Sequence, residues 1–150
     1  MQPVTVRLAS LKDLETVAAL FNAYRQFYEQ PDDLPKARAF LHDRMSQNQS
    51  TVLLAEDGDG KAVGFSQLYP SFCSVLAAPI YVLYDLYVVP SERKLGVGRA
   101  LLQFAADYAT QQGAFRMDLT TARTNQVAQS LYTSMGWQRD DAFLAYNLKL

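Results

Sequence analysis

The sequence has a single cysteine and a single histidine among its 150 residues. With only Cys73, an intrachain disulfide and a cysteine-based zinc cluster are excluded. With only His42, a histidine metal site and a Ser-His triad lack their parts. An excess of charge of either sign is missing too: 14 Lys and Arg against 15 Asp and Glu leave a net charge of -1. No basic surplus is available to grip nucleic-acid phosphates, and no acidic tail is present. No apolar run approaches the roughly 20 residues that span a bilayer. The opening MQPVTVRLAS lacks the charged-then-apolar order of a signal peptide. These absences point to a soluble, cytoplasmic protein with no metal and no nucleic-acid or membrane partner.

What is present suits one globular domain over residues 1–150, since 49% of the residues are hydrophobic and that fraction fills a substantial core at this length. Val4, Val6 and Leu8 alternate with polar residues and predict a strand over Pro3–Ala9. Ser10 can cap a helix whose Leu14, Val17, Ala18, Phe21, Tyr24 and Tyr28 share one side, ending near Gln30–Pro31. Asp32 and Asp33 start a second helix with Pro35 in its first turn and Phe40, Leu41 and Met45 inward. Thr51–Ala55 and Lys61–Tyr69 read as a hairpin around Asp57-Gly58-Asp59-Gly60, with Pro70 and Ser71 disturbing the second strand near its end. Ile80–Val89 is a central strand by its continuous apolar character.

After a polar connection, Val97, Ala100, Leu101, Phe104, Ala105 and Tyr108 define a helix that Gly113 terminates. Phe115–Thr121 is a further strand, parallel to Ile80–Val89 under the right-handed crossover rule. Asn125 caps a fourth helix carrying Ala128, Leu131, Tyr132 and Met135, and Trp137–Leu150 is expected to supply one or two last strands. The expectation is an α/β domain with a mixed central sheet of about six to seven strands flanked by four helices.

The run Arg93-Lys94-Leu95-Gly96-Val97-Gly98-Arg99-Ala100 leaves a buried strand and enters a helix. There the first helical N–H groups lack intrahelical partners, and the helix dipole adds positive potential. Glycines at 96 and 98 allow close approach of an anion, and Arg93, Lys94 and Arg99 carry full charges. A dinucleotide fingerprint would place a third glycine where Leu101 stands, and a P-loop lysine-serine pair is missing. The pattern therefore outlines a pyrophosphate cradle of another kind.

Read together, three features resemble the GNAT superfamily of N-acetyltransferases. Tyr84-Asp85-Leu86-Tyr87-Val88-Val89-Pro90 feeding Arg93-x-x-Gly96-x-Gly98 is similar to its acyl-coenzyme A signature. Asn125-x-x-Ala128-x-x-Leu131-Tyr132 followed by Gly136-Trp137 is similar to its second segment. The element order is the third feature. Within the superfamily, Tyr24–Glu29 with Asp32-Asp33 resembles the histone and polyamine acetyltransferase subgroup.

The resemblance implies that acetyl-coenzyme A donates an acetyl group to a primary amine: a polyamine, an amino acid, a lysine side chain or a similar small cation. It implies that the strand around Leu86, Tyr87 and Val88 splays to pair with the pantetheine arm. The amides from Lys94 through Leu95, Gly96, Val97, Gly98 and Arg99 to Ala100 would receive the pyrophosphate, and Asn125 would touch the coenzyme or cap its helix. Tyr132 is implied as general acid, a phenol with a reference pKa of about 10. Relatives often carry a glutamate base where this chain has Val82 and Tyr84, so Tyr84 and Asp85 are the catalytic candidates on that strand. Strand alternation places those two on opposite faces. Tyr28, Glu29, Asp32 and Asp33 are candidates for attracting a cationic acceptor. The same cradle would also serve a non-catalytic acyl-coenzyme A sensor or partner-binding module. Similar enzymes form homodimers, for which residues 74–80 or the last strand would supply an interface. Cys73 reads as a small buried hydrophobe and His42 as a surface histidine.

Overall fold

Ser10 and Asp13 begin the helical part of the chain by satisfying each other: Ser10 Oγ accepts from Lys12 N–H and Asp13 Oδ2 accepts from Ser10 N–H. Helix α1 (Leu14–Phe27) then buries Leu14, Val17, Ala18, Leu20 and Phe21. It stops before the predicted Gln30–Pro31 because Glu29 adopts a left-handed conformation, φ 64°. Asp33 caps α2 (Leu34–Ser46) by accepting from Lys36 N–H. Ala37 and Leu41 of α2 are buried, whereas Phe40 is partly exposed and stacks on Phe21.

The computed structural model describes residues 3–150, which form two compact units divided after Thr120. The first holds one mixed sheet in the order β1-β2-β3-β4-β5. β1 (Thr5–Leu8), β2 (Thr51–Glu56), β3 (Ala62–Cys73) and β4 (Ala78–Val88) form an antiparallel meander, and β5 (Met117–Asp118) lies parallel to β4. Val52 and Leu54 of β2 and Phe65 of β3 pack with α1 and α2. On the opposite face α3 (Val97–Gln111) buries Val97, Leu101, Leu102, Ala105 and Ala109. Gly64 of β3 lets α3 lie close. A Cβ there would sit 2.8 Å from Tyr87 O and 3.3 Å from both Leu101 and Val97 side chains.

Pro70 does not disturb β3, which continues to Cys73. Tyr81, its partner, donates its N–H to Arg116 O on the β5 side, so by antiparallel alternation Pro70 directs its backbone away from β4. The β2 pairing ends at Thr51↔Leu68, and the missing proline N–H therefore costs no ladder bond.

The second unit contains α4 (Gln126–Ser134), with Asn125 Oδ1 accepting from Ala128 N–H as its cap. The four expected helices are present, but among the described residues the sheet has five strands rather than six to seven. The expected strand over Phe115–Thr121 contracts to two residues, and none forms in Trp137–Leu150. Phe143, Leu144, Tyr146 and Leu148 are exposed there. Alternating apolar residues permit a strand, but only a neighbouring backbone makes one, and the sequence pattern does not supply that neighbour.

Candidate active site

β4 lies between two partners and keeps only one of them along its whole length. It pairs with β3 from Ala78 to Val88, but with β5 only at Tyr81 and Val82. Past Leu83 its other edge has no ladder among the described residues. Val89 N–H donates to Val63 O, which fixes the alternation: Tyr87 and Asp85 direct their backbone groups toward β3, while Leu86 and Val88 direct theirs to the open edge. The predicted trio for an added strand is thus reduced to Leu86 and Val88. Tyr87 is committed to β3.

The connection after β4 turns through Pro90–Glu92 and then through two left-handed residues, Lys94 at φ 66° and Gly96 at φ 87°. Gly96 caps α3 without a side chain, and the intrahelical ladder opens with Ala100 N–H to Gly96 O. Val97 and Gly98 therefore present amides with no acceptor in the helix. A Cβ at Gly96 would meet nothing within 4 Å, so the approach to those amides is open. Leu95 and Lys94 are exposed at the rim, Val97 is the buried anchor, Ala100 is half-buried, and Arg99 is exposed. Arg93 departs from its expected role. Its Nε donates to Val88 O, and its guanidinium lies over the rings of Phe27 and Tyr87. It pins the loop to the end of β4.

The register of β3 and β4 shifts between Gln67 and Leu68, where Gln67 faces Asp85 but Leu68 faces Leu83. Tyr84 is the extra residue of a β-bulge, and its peptide falls out of the regular ladder. This overturns the expectation that Tyr84 and Asp85 serve opposite faces. The ring of Tyr69 rests on Tyr84 at 5.4 Å, and Tyr24 donates its hydroxyl to Tyr84 O at 3.5 Å. Both phenols also feel the Asp85 charge.

Asp85 is only 6% exposed. Gln67 Nε2 donates to its Oδ2 at 2.7 Å, and Ser66 Oγ donates to its carbonyl at 2.8 Å. Burial raises the Asp85 carboxyl above the usual range, against the opposing pull of hydrogen bonds from Gln67 and Tyr24. Burial first, and then the Asp85 charge, pushes Tyr24 above the ordinary phenol value and Tyr69 up to about 12. Tyr28 continues the aromatic wall, 5.1 Å from Tyr24. A buried carboxyl beneath tyrosine rings is suited to a cation, through its charge and through the ring faces.

The acidic residues of the α1–α2 connection serve the chain. Asn22 donates to Asp32 Oδ1 and accepts from Asp33 N–H, Asp33 caps α2, and Glu29 closes α1. Cys73 is half-buried at the end of β3, not buried, and its thiol is lowered first by a backbone hydrogen bond from Leu76. His42 is on the surface, 3.6 Å from Asp43. No group of His, Cys, Asp or Glu among the described residues is arranged to hold a metal ion. No helix among them is long and apolar enough to cross a membrane. In the second unit, Tyr132 lies on the half-buried side of α4, its ring 6.0 Å from Trp137.

The acetyltransferase (GNAT) family model matches residues 17–137, which include the β4 edge, the α3 amides and the α4 segment. The chain belongs to this family. This acetyltransferase is 44% identical over 147 residues to the uncharacterized N-acetyltransferase YhfO of Bacillus subtilis (strain 168), covering 98% of each chain. A crystal structure of a probable acetyltransferase superposes with a TM-score of 0.91 at 36% identity, over 97% of each chain. An aminoglycoside N(6')-acetyltransferase type 1 of Klebsiella aerogenes is 34% identical over 102 residues, 65% of each chain. The acetyltransferase uses acetyl-coenzyme A as its acetyl donor.

The residues that sequence reasoning missed are Gly64, Gln67, Tyr24 and Tyr69. Gln67 carried a signal, a polar side chain within the otherwise buried stretch Val63–Leu68. Tyr24 stood in the apolar stripe of α1 and in the Tyr24–Glu29 resemblance, but neither pointed to its contact with Asp85.

Proposed function

We propose that this acetyltransferase acts on the primary amine of a small cation, with both substrates bound together during transfer. The observation that carries the reading is Asp85, a carboxyl buried beneath Tyr24, Tyr69 and Tyr84 at the bulge of the strand whose edge is open. A free ammonium would be drawn to that carboxylate and to the ring faces. The similarity of residues 24–29 to the histone and polyamine subgroup and the named aminoglycoside relative support the same class.

Acetyl-coenzyme A supplies a thioester. The Val97 and Gly98 amides, with Lys94 and Arg99, hold its diphosphate, and the Leu86 and Val88 backbone aligns its arm. Asp85 takes the proton that the amine must lose. A lysine-like amine has a pKa near 10.4, and the raised Asp85 carboxyl narrows the gap that this transfer must cross. The peptide released at the Tyr84 bulge offers an N–H to the negative charge that grows on the thioester oxygen. As the new C–N bond forms and the C–S bond breaks, the leaving sulfur takes a proton, a role that the family resemblance gives to the Tyr132 phenol. Holding both partners in one cleft contributes much of the acceleration.

A panel of polyamines, amino acids, lysine peptides and aminoglycosides, read by product mass, tests the substrate class. Acetylation confined to acceptors with a free primary ammonium is expected. Transfer to neutral alcohols alone would contradict the reading. Tyr132→Phe is expected to keep its affinity for acetyl-coenzyme A and lose about 100-fold in kcat. An unchanged kcat would remove Tyr132 from the chemistry.

A further inference from the structure

Gln67 is fully buried on β3 and uses only one end of its amide. Nε2 donates to Asp85 Oδ2 at 2.7 Å, whereas Oε1 is buried without a hydrogen-bond partner. A buried, unsatisfied carbonyl is costly, and an apolar residue of similar volume would fit this strand better if packing alone decided the position. On this face of β3 Phe65 precedes Gln67 and packs with Tyr24. The orphan oxygen thus marks a side chain held there for its donor.

We propose that Gln67 is a positioning residue of the acetyltransferase, holding the Asp85 carboxylate in its ionised, amine-facing state. The proposal rests on the reading of Asp85 as the group that receives the amine's proton. The groups facing Asp85 are few. Tyr24 comes from α1, Gln67 and Tyr69 from β3, and Tyr84 from β4, while Arg44 of α2 acts on Tyr69 from farther out. Among them Gln67 provides the short donor to the carboxylate itself. Tyr24 splits its hydroxyl between that carboxylate and Tyr84 O. Without Gln67 the carboxylate has less to offset its burial, so it must bind its proton more tightly.

The direction follows directly. A base works in its deprotonated form, so kcat/KM falls as pH drops through the Asp85 pKa. Loss of the Gln67 donor raises that pKa and moves the acid limb of the profile upward. Gln67→Leu should move the limb up by about one pH unit, a roughly tenfold loss on the acid limb that recovers as pH is raised. Gln67→Met is the second variant should leucine impair folding, and acetyl-coenzyme A affinity should stay within about twofold in either.

The measurement is kcat/KM against pH for the full chain with the amine acceptor that the panel identifies, in wild type, both Gln67 variants and Asp85→Asn. An upward-shifted limb with recovery at high pH supports the proposal. A limb that stays in place, or a uniform loss at every pH, overturns it. Asp85→Asn separates the two layers. Should that variant retain wild-type turnover and limb, the reading of Asp85 falls and the role of Gln67 falls with it. Loss of turnover in Asp85→Asn with an unmoved limb in the Gln67 variants sinks the Gln67 proposal alone.

Discussion

The proposed coenzyme end of the site is made of backbone, while the proposed acceptor end is made of side chains. At the first, Leu86 and Val88 on the open edge of β4 and the Val97 and Gly98 amides of α3 offer peptide groups. At the second, Asp85, Gln67, Tyr24, Tyr69 and Tyr84 converge because one extra residue in β4 breaks the alternation. A surface of peptide groups tolerates many side-chain changes provided that φ and spacing are kept. A side-chain pocket can be retuned by single substitutions without touching the fold. That difference gives a physical reason for one donor to serve acetyltransferases with many acceptors.

Asp85→Asn should separate the two ends most sharply, lowering kcat/KM by about 100-fold or more while acetyl-coenzyme A binding, measured by titration, stays unchanged. The same variant has a signature in stability. The folded-state carboxyl pKa is raised, so wild type is most favoured with Asp85 protonated and loses stability as pH rises from the unfolded value, about 4, through the folded one. Denaturation at several pH values should show that slope flattened in Asp85→Asn. An identical slope would mean that the carboxyl is not perturbed by its burial.

Gly64→Ala tests whether the ends are mechanically joined. Its Cβ would press on Tyr87 O and on Val97 and Leu101 at once, so a loss of about 1–3 kcal/mol in chemical denaturation is expected, with weakened coenzyme binding. Unchanged stability would show that α3 moves aside without effort. Gly96→Val addresses the backbone end alone. A left-handed β-branched residue costs about 1–2 kcal/mol and should weaken acetyl-coenzyme A binding roughly tenfold. Its KM for the amine should hold. The smallest effect belongs to Lys94→Gly, which relieves the left-handed strain and should stabilise the chain by up to about 1 kcal/mol. Coenzyme affinity should then fall slightly and depend less on salt, because one cation is gone.

The same contrast separates what the sequence reveals from what it hides. Gly96 and Gly98 at a strand-to-helix junction announce the backbone end, since the chemistry lies in peptide geometry that glycine spacing records. The four helices follow from periodicity, and the β2–β3 hairpin from its turn residues. The bulge at Tyr84 leaves no comparable trace: Tyr84-Asp85-Leu86 reads as regular alternation, and only the β3 register shows that one residue is surplus. Arg93 is similarly opaque, because its charge suggested an anion while its partners are a carbonyl and two rings. The tail shows the opposite error, an alternating pattern credited with a strand that the described chain does not form.

Backbone amide signals followed by NMR as acetyl-coenzyme A is added test the open β4 edge and the α3 N-terminus most directly. Leu86, Val88, Val97 and Gly98 should shift and gain protection from exchange, whereas Tyr87, already committed to β3, should change little. Protection at Tyr87 with none at Leu86 and Val88, or a silent α3 N-terminus, would contradict it.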